Sequence, residues 1–121
     1  MNSALVKAAL DQAMQIDGAI GVALVDSGSG MALGTAGGGG LNLDVAAAGG
    51  TEVVRSKLRV MGQLGLKDKI EDILITLGGQ FHLIRTVGGQ ANLFLYLALN
   101  RAHANLAMAR HQLSTVEAKL A

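Results

Sequence analysis

The residues of this chain whose types and spacing could do chemistry begin with a run of glycines. Residues 34–44 read GTAGGGGLNLD, and backbone amides that converge in such a loop ahead of a helix can bind a phosphate. The phosphate-binding pattern also needs a lysine followed by serine or threonine, whereas LNLD follows Gly40 and Asp44 would repel a phosphate. We therefore interpret the glycines as a hinge between a sheet edge and a helix, with nucleotide hydrolysis as an alternative.

The histidines are the next candidates, either for a metal site or for a general base. His82 falls in a predicted strand, while His103 and His111 fall in the last predicted helix, about two turns apart and too distant to share a metal through local spacing. The sequence contains no cysteine, which excludes disulfides, thiolate metal sites and a cysteine nucleophile. We interpret the histidines as surface or half-buried residues and expect neither a metal nor a cofactor.

A catalytic set could be assembled only from Asp26, Ser27 and a histidine. The segment DSGSG at residues 26–30 is a sufficient turn by itself, because Asp and Ser side chains bond nearby backbone amides. It also lacks the outer positions of the G-x-S-x-G elbow, so we predict no catalytic residue and no enzymatic activity. Arg85, inside a predicted strand, is expected to pair with a carboxylate on a neighbouring element; contact with an acidic partner or a nucleotide phosphate is the alternative.

Length and composition predict one domain over residues 1–121. Half of the residues are hydrophobic, but only three are aromatic, so the core must consist of Ala, Val, Leu and Ile. The formal net charge of +1 argues against a nucleic-acid partner. The longest strongly apolar run, 93–99, is far shorter than the roughly 20 residues of a membrane-spanning helix. The N-terminal segment lacks the apolar region of a signal peptide, so we expect a cytoplasmic protein.

Hydrophobic periodicity predicts three helices and five strands. Ser3 is expected to cap helix one, whose apolar stripe includes Leu5, and Asp44 is expected to cap helix two, which runs to about Leu64. The last helix is expected to begin near Ala102, the first member of its apolar stripe. Short apolar segments separated by glycine turns are typical of antiparallel strands, and they cover residues 19–26, 31–36, 71–78, 80–87 and 92–99.

Two of these strands, 71–78 and 92–99, carry apolar residues at both alternating sets of positions. That pattern is typical of a sheet covered on both faces, so helices must lie on either side of it. The predicted fold class is therefore α/β (α+β), with the element order α-β-β-α-β-β-β-α and a five-stranded antiparallel sheet.

This element order, in a chain of this length, resembles the Roadblock/LC7 family. The likeness covers about residues 3–119 and rests on three segments: DGAIGVALVDSGSGMALG, EDILITLGGQFHLIRTV and NLFLYLALNRAHANLAMAR. They are similar to the first hairpin of the family, to its third and fourth strands, and to its fifth strand with the final helix. The glycine run departs from the shorter connection usual in the family.

The resemblance implies a profilin-like architecture, with helix two on one face of the sheet and helices one and three on the other. It also implies a small homodimeric or heterodimeric scaffold, without enzymatic activity, that binds a small Ras-like GTPase. Some bacterial members of the family act on a GTPase beside which they are encoded.

The strand order argues independently for self-association. The most economical topology joins strands one and five and leaves strands two and three at the edges. Strand three, DILITLG, would present about 23 Å of unpaired backbone, and such an edge either aggregates or finds a partner. Pairing with a second copy about a two-fold axis gives a ten-stranded sheet and brings the two second helices together. The predicted dimer interface comprises Val53, Val54, Lys57, Leu58, Met61, Ile73, Leu74, Ile75, Thr76 and Leu77.

The polar flank of helix two would be doubled by the same two-fold axis. We therefore predict Glu52, Arg55 and Arg59 as the surface that meets a further partner. A small-ligand sensor module is the alternative function, because a sheet between helices with a glycine-rich loop could hold a metabolite. The scarcity of aromatic and convergent polar residues argues against it.

Overall fold

The helices and strands follow one another in the predicted order, α-β-β-α-β-β-β-α. The structure is a computed structural model that describes residues 2–90 and 92–121. Its elements are α1 (Ser3–Ala13), β1 (Ala19–Asp26), β2 (Met31–Gly37), α2 (Leu43–Gln63), β3 (Asp72–Thr76), β4 (Gln80–Thr86), β5 (Leu93–Asn100) and α3 (Leu106–Ala118). Within these residues no helix is both long and apolar enough to cross a bilayer.

The five strands form one antiparallel sheet in the order β2-β1-β5-β4-β3. The hairpin and the meander are joined through β1 and β5, where Val22 lies opposite Leu97. The predicted topology is confirmed, because β2 and β3 are the two edges. The β1–β2 ladder is interrupted between Leu24 and Val25, and such a bulge twists the edge strand away from a regular ladder.

Each face of the sheet has its own hydrophobic core. On one face α1 and α3 pack through Leu10, Ala13, Leu113 and Val116 onto β-strand residues such as Leu97. On the other face α2 packs its own buried side chains, which include Ala47 and Val54, onto Ala23, Val25, Ile84, Phe94 and Tyr96. The predicted placement of the helices, α2 on one face and α1 with α3 on the other, is confirmed.

All three helices begin at an asparagine cap. The Asn2 side chain accepts from the Ala4 amide at 2.7 Å, the Asn42 side chain from the Asp44 amide at 3.1 Å, and the Asn105 side chain from the Met108 amide at 3.1 Å. The predicted caps Ser3 and Asp44 were wrong, because both residues lie inside their helices. Asparagine is among the residues best suited to capping a helix, and the caps are Asn2 and Asn42 instead.

Three further boundaries differ from the prediction. Ala102 and His103 precede α3, because Asn100 accepts from the Ala102 amide at 3.0 Å and forms a turn before the helix. β3 has five residues rather than about seven. Leu5 is 42% exposed, since the buried face of α1 is built by the neighbouring stripe that contains Val6 and Leu10.

The glycine run is a structural connection between β2 and α2. All four residues have positive φ, from 50° at Gly39 to 128° at Gly38, a region that side chains other than glycine rarely adopt. The Gly38 amide donates to the Ile20 carbonyl at 2.8 Å, and Asn42 occupies the amides at the start of α2. These groups are therefore engaged within the chain and do not converge on a phosphate site.

Candidate protein-interaction surface

β3 exposes one side of its backbone along the edge of the sheet. The Glu71 carbonyl accepts from the Thr86 amide at 3.2 Å, and the Leu77 amide donates to the Gln80 carbonyl at 2.8 Å. In an antiparallel ladder the bonded pairs alternate, so the peptide groups of Asp72, Leu74 and Thr76 point away from β4. They form a ready hydrogen-bonding edge for another strand.

The face of the sheet beside this edge is only partly covered. α2 packs mainly against β2, β1 and the central strand β5, rather than against β4 and β3. Ile73 and Ile75 are consequently half-buried, although Ile73 packs at the margin of the α2-side core. The next strand inward, β4, places His82 directly opposite Ile75. This uncovered part of the face combines the apolar Ile73 and Ile75 with His82 and is continuous with the open edge.

A groove lies between α2 and the segment that connects it to β3. The groove has a volume of ≈ 1000 Å³ and is lined by Val53, Lys57 and Met61 from α2 and by residues 66–73. Exposed apolar side chains surround it, with Leu66 52% and Val60 36% exposed. α2 therefore carries a second apolar stripe outside the core.

The structure separates the predicted interface residues into several groups. Val53, Lys57, Met61 and Ile73 line the groove together, and Ile75, Thr76 and Leu77 continue along the edge. Leu74 points to the other face and packs against the core of α1 and α3. Val54 is 4% exposed and fills the core of its own subunit. Leu58, 50% exposed, lines a different cleft together with Val54 and Phe94.

That second cleft, of ≈ 700 Å³, is bounded by α2, the connection to β3 and the β4–β5 turn. Arg85 and Glu117 in its lining bond to each other, and Asp68, Lys69 and Glu71 also line it. Every buried side-chain nitrogen and oxygen among the described residues has a hydrogen-bond partner, so no buried polar side chain described in the cleft lacks one. This disfavours the sensor alternative.

The polar flank of α2 is partly engaged within the subunit. The Arg55 guanidinium donates to the Gly28 carbonyl at 2.7 Å, so it ties α2 to the β1–β2 turn. Glu52 and Arg59 are exposed, and Glu52 lies beside the apolar stripe at Val53. All three residues of the predicted partner surface are exposed, and the Arg55 guanidinium is the one bonded to a backbone carbonyl of the β1–β2 turn.

The polar residues of the β1–β2 turn satisfy one another. Asp26 accepts from the Gly28 amide at 2.9 Å and from the Ser29 hydroxyl at 3.0 Å. The turn interpretation of DSGSG is confirmed by these bonds. Within the described residues, no group of three or more His, Asp and Glu side chains is placed to hold a metal ion.

Arg85 pairs with carboxylates on neighbouring elements, as the sequence predicts. Its Nε donates to Glu117 Oε1 at 3.1 Å, and its guanidinium lies 4.0 Å from Asp72 Oδ2. Arg110 binds the two Asp72 oxygens at 3.0 and 2.9 Å, a contact that sequence reasoning missed. Together these charges tie α3 to β3 and β4, and they fix the strand that forms the open edge.

Sequence reasoning also missed a hydrogen-bond chain on the uncovered face. His82 Nδ1 lies 2.8 Å from the Tyr96 hydroxyl, and His82 Nε2 lies 2.7 Å from Gln80 Oε1. The two rings meet edge to face, with centroids 5.4 Å apart. Burial lowers the pKa of the His82 imidazole and raises the pKa of the Tyr96 hydroxyl. The only sequence signal was the alternation that places Gln80 and His82 on one side of β4.

Neither a family model nor a curated protein sequence matches this chain. Solved structures do. MglB of Myxococcus xanthus superposes with a TM-score of 0.86 and 16% identity over 99% of this chain and 94% of that chain. A Roadblock/LC7 domain from Streptomyces avermitilis gives 0.78 and 13% over 90% and 88%, and an MglB with a tetrameric arrangement gives 0.82 and 16% over 99% and 90%. With its sheet order, its helix placement and these superpositions, the chain has the Roadblock/LC7 fold.

Proposed function

We propose that this chain is a cytoplasmic, non-enzymatic scaffold that forms a homodimer, binds a small Ras-like GTPase and alters its nucleotide cycle or its location. The observation that carries the proposal is the open backbone edge of β3 beside an apolar face that α2 leaves partly uncovered. A subunit of this kind is incomplete alone, because both the peptide groups and the apolar side chains find partners in a second copy.

The dimer joins the β3 edges of two copies about a two-fold axis and places each α2 next to the groove of the other subunit. Val53, Val60, Leu66, Ile73 and Ile75 retain exposed surface there. Each contributes at most about 1.5–3 kcal/mol when it is buried, and association costs of similar size oppose this gain. Only a closely packed interface that also pairs the strands would be stable.

The second edge strand is less suited to pairing. β2 is interrupted by the irregularity opposite Leu24 and Val25, and it ends at Gly37, whose φ is 69°. Bulges and irregular ends blunt an edge strand. The comparison with an MglB that has a tetrameric arrangement supports self-association of this fold in general.

The GTPase partner follows from the resemblance to the Roadblock/LC7 family rather than from a pocket. The exposed pair Glu52 and Arg59, together with Lys57, would be repeated on both sides of the two-fold axis and would form a polar surface around the joined helices. The scaffold role is supported by the engagement of Asp26 and Arg85 in contacts within the chain.

The experiment combines a mass measurement with a binding titration. We expect the dimer mass by light scattering at micromolar concentration and binding to a Ras-like GTPase of the same organism in at least one nucleotide state. Arg59→Glu should weaken that binding by about tenfold, the equivalent of about 1.4 kcal/mol, without changing the mass. Lys7→Glu is the matched control, because Lys7 is an exposed cation on α1 far along the chain from α2. A monomer, or no binding in either state, would overturn the proposal.

A further inference from the structure

The Tyr96–His82–Gln80 chain assigns the tautomer of the neutral His82 ring. Gln80 Oε1 can only accept a hydrogen bond, so His82 Nε2 must carry the proton in their 2.7 Å contact. Nδ1 of the neutral ring is then an acceptor, and it receives the Tyr96 hydroxyl proton at 2.8 Å. A second proton on the ring would occupy Nδ1 and reverse this bond, and the Tyr96 hydroxyl oxygen would then accept. Protonation of His82 therefore changes the direction of its contact with Tyr96.

The location of this chain makes it relevant to the open edge. His82 is paired with Ile75 of β3, and it is half-buried on the part of the face that α2 leaves uncovered. A second copy that docks on β3 and on the groove removes more water from this face. Burial already lowers the pKa of His82 in the single subunit, and further burial acts in the same direction.

The groups nearest the His82 ring carry no charge. β5 presents the Tyr96 hydroxyl and Ala98, and β3 presents Ile75. Charged groups of both signs lie at the groove that Ile73 lines, namely Lys57 from α2 and Lys67, Asp68, Lys69, Glu71 and Asp72 from the segment that follows it. The Asp72 carboxylate is bonded to Arg110. The ring itself is bonded to Tyr96 and Gln80, so a charged imidazole has no carboxylate bonded to it among the described residues.

We propose that the Tyr96–His82–Gln80 chain is a proton-controlled switch of the dimer, which assembles with His82 neutral and dissociates when His82 is protonated. This inference rests on the proposed homodimer and adds its regulation. Burial lowers the pKa of His82 from 6.5 in the single subunit, so the neutral form dominates above that value and the affinity is highest and independent of pH there. As the pH falls through the lowered pKa of the monomer, the monomer binds protons that the dimer excludes, and the dimer is progressively lost.

The first experiment measures the dimer dissociation constant by sedimentation equilibrium between pH 7.5 and 5.0. With one histidine per subunit, two protons are bound per dissociated dimer, so the dissociation constant rises by at most about 100-fold per pH unit. We expect at least about a tenfold rise between pH 7.5 and 5.0. Circular dichroism at each pH verifies that the subunit remains folded.

Two variants assign the effect to one residue. His82→Gln keeps a polar side chain but cannot titrate, so its dissociation constant should stay flat across this range. His111→Gln is the matched control, because His111 is exposed on α3, away from β3, and it should keep the full pH dependence. A pH dependence that persists in His82→Gln overturns the proposal.

An NMR titration of the His82 ring decides the question without a variant. We expect a lower His82 pKa in a concentrated, dimeric sample than in a dilute, monomeric one, with the Nε2–H tautomer above pH 7. Equal pKa values in the two samples overturn the switch. A dimer whose affinity does not change with pH overturns the switch alone, whereas a monomer at pH 7.5 and every concentration overturns the proposed function as well.

Discussion

Gly37, at the end of β2, has no room for a side chain. Its φ is 69°, and a Cβ atom there would lie 2.5 Å from Met14 Cε and 2.7 Å from the Ile20 carbonyl oxygen. Gly40, three residues later, also has positive φ, at 92°, but a Cβ atom there meets nothing within 4 Å. Both positions therefore require a positive φ, but only Gly37 also lacks space for a side chain.

The corresponding prediction is a comparison of Gly37→Ala with Gly40→Ala. Positive φ costs a non-glycine residue about 1–3 kcal/mol, and this cost applies to both variants. Gly37→Ala must also displace Met14 and the backbone at Ile20, so we expect a total loss above about 3 kcal/mol in the free energy of unfolding. Urea denaturation gives both values. Equal losses would contradict the packing argument for Gly37.

Arg85 and His82 show which side-chain contacts could be predicted from the sequence and which could not. The pairing of Arg85 with a carboxylate was predictable, because a charge inside a strand with apolar neighbours needs a partner. The identity of that partner was not, since Glu117 lies 32 residues away in the sequence. His82 was expected to be an ordinary surface or half-buried histidine, and its bond to Tyr96 depends on the register of two strands.

α2, at the scale of the element, carries two apolar surfaces with different roles. Val54 is buried against the sheet of its own subunit, while Val53 lines the outer groove. Val45 lies on the same helix and is 66% exposed, but it does not line that groove. Val53 is thus a test position for the groove, and Val45 is a matched control of the same residue type on the same helix.

The prediction for this helix compares Val53→Lys with Val45→Lys. A lysine in the groove would have to lose its hydration on dimer formation, so we expect Val53→Lys to raise the dimer dissociation constant by at least about tenfold, or about 1.4 kcal/mol. Val45→Lys should stay within about twofold of the unchanged chain. Sedimentation velocity at several concentrations measures both. A similar dimer in both variants would place the interface elsewhere.

The elements themselves were largely predictable from the sequence. Alternating and helical periodicities, with glycine turns between them, indicated all eight elements and the two edge strands, because these signals are local. The helix starts and the length of β3 were less accurate. Caps and strand ends are decided by single hydrogen bonds, such as that from the Asp44 amide to Asn42, rather than by periodicity.

At the scale of the whole molecule, dimer formation should be linked to folding. A partner that binds the folded state adds to its stability by mass action, so the proposed dimer predicts a melting temperature that rises with protein concentration. Each tenfold increase adds about 1.4 kcal/mol per dimer, which corresponds to about 3–5 °C for an assembly of this size. Calorimetry over a hundredfold range of concentration measures the shift. A constant melting temperature would contradict coupled folding and association.

The sequence by itself determined the order of the elements, their periodicity, the arrangement of the strands and the need to cover an exposed edge. These follow from local propensity and from the short connections that antiparallel strands require. The tertiary structure alone decided which apolar residues of α2 fill the core, which charges join α3 to β3, and how Tyr96 meets His82 from 14 residues away. Such contacts depend on strand register and helix rotation, because a small change in either redirects every side chain of the element.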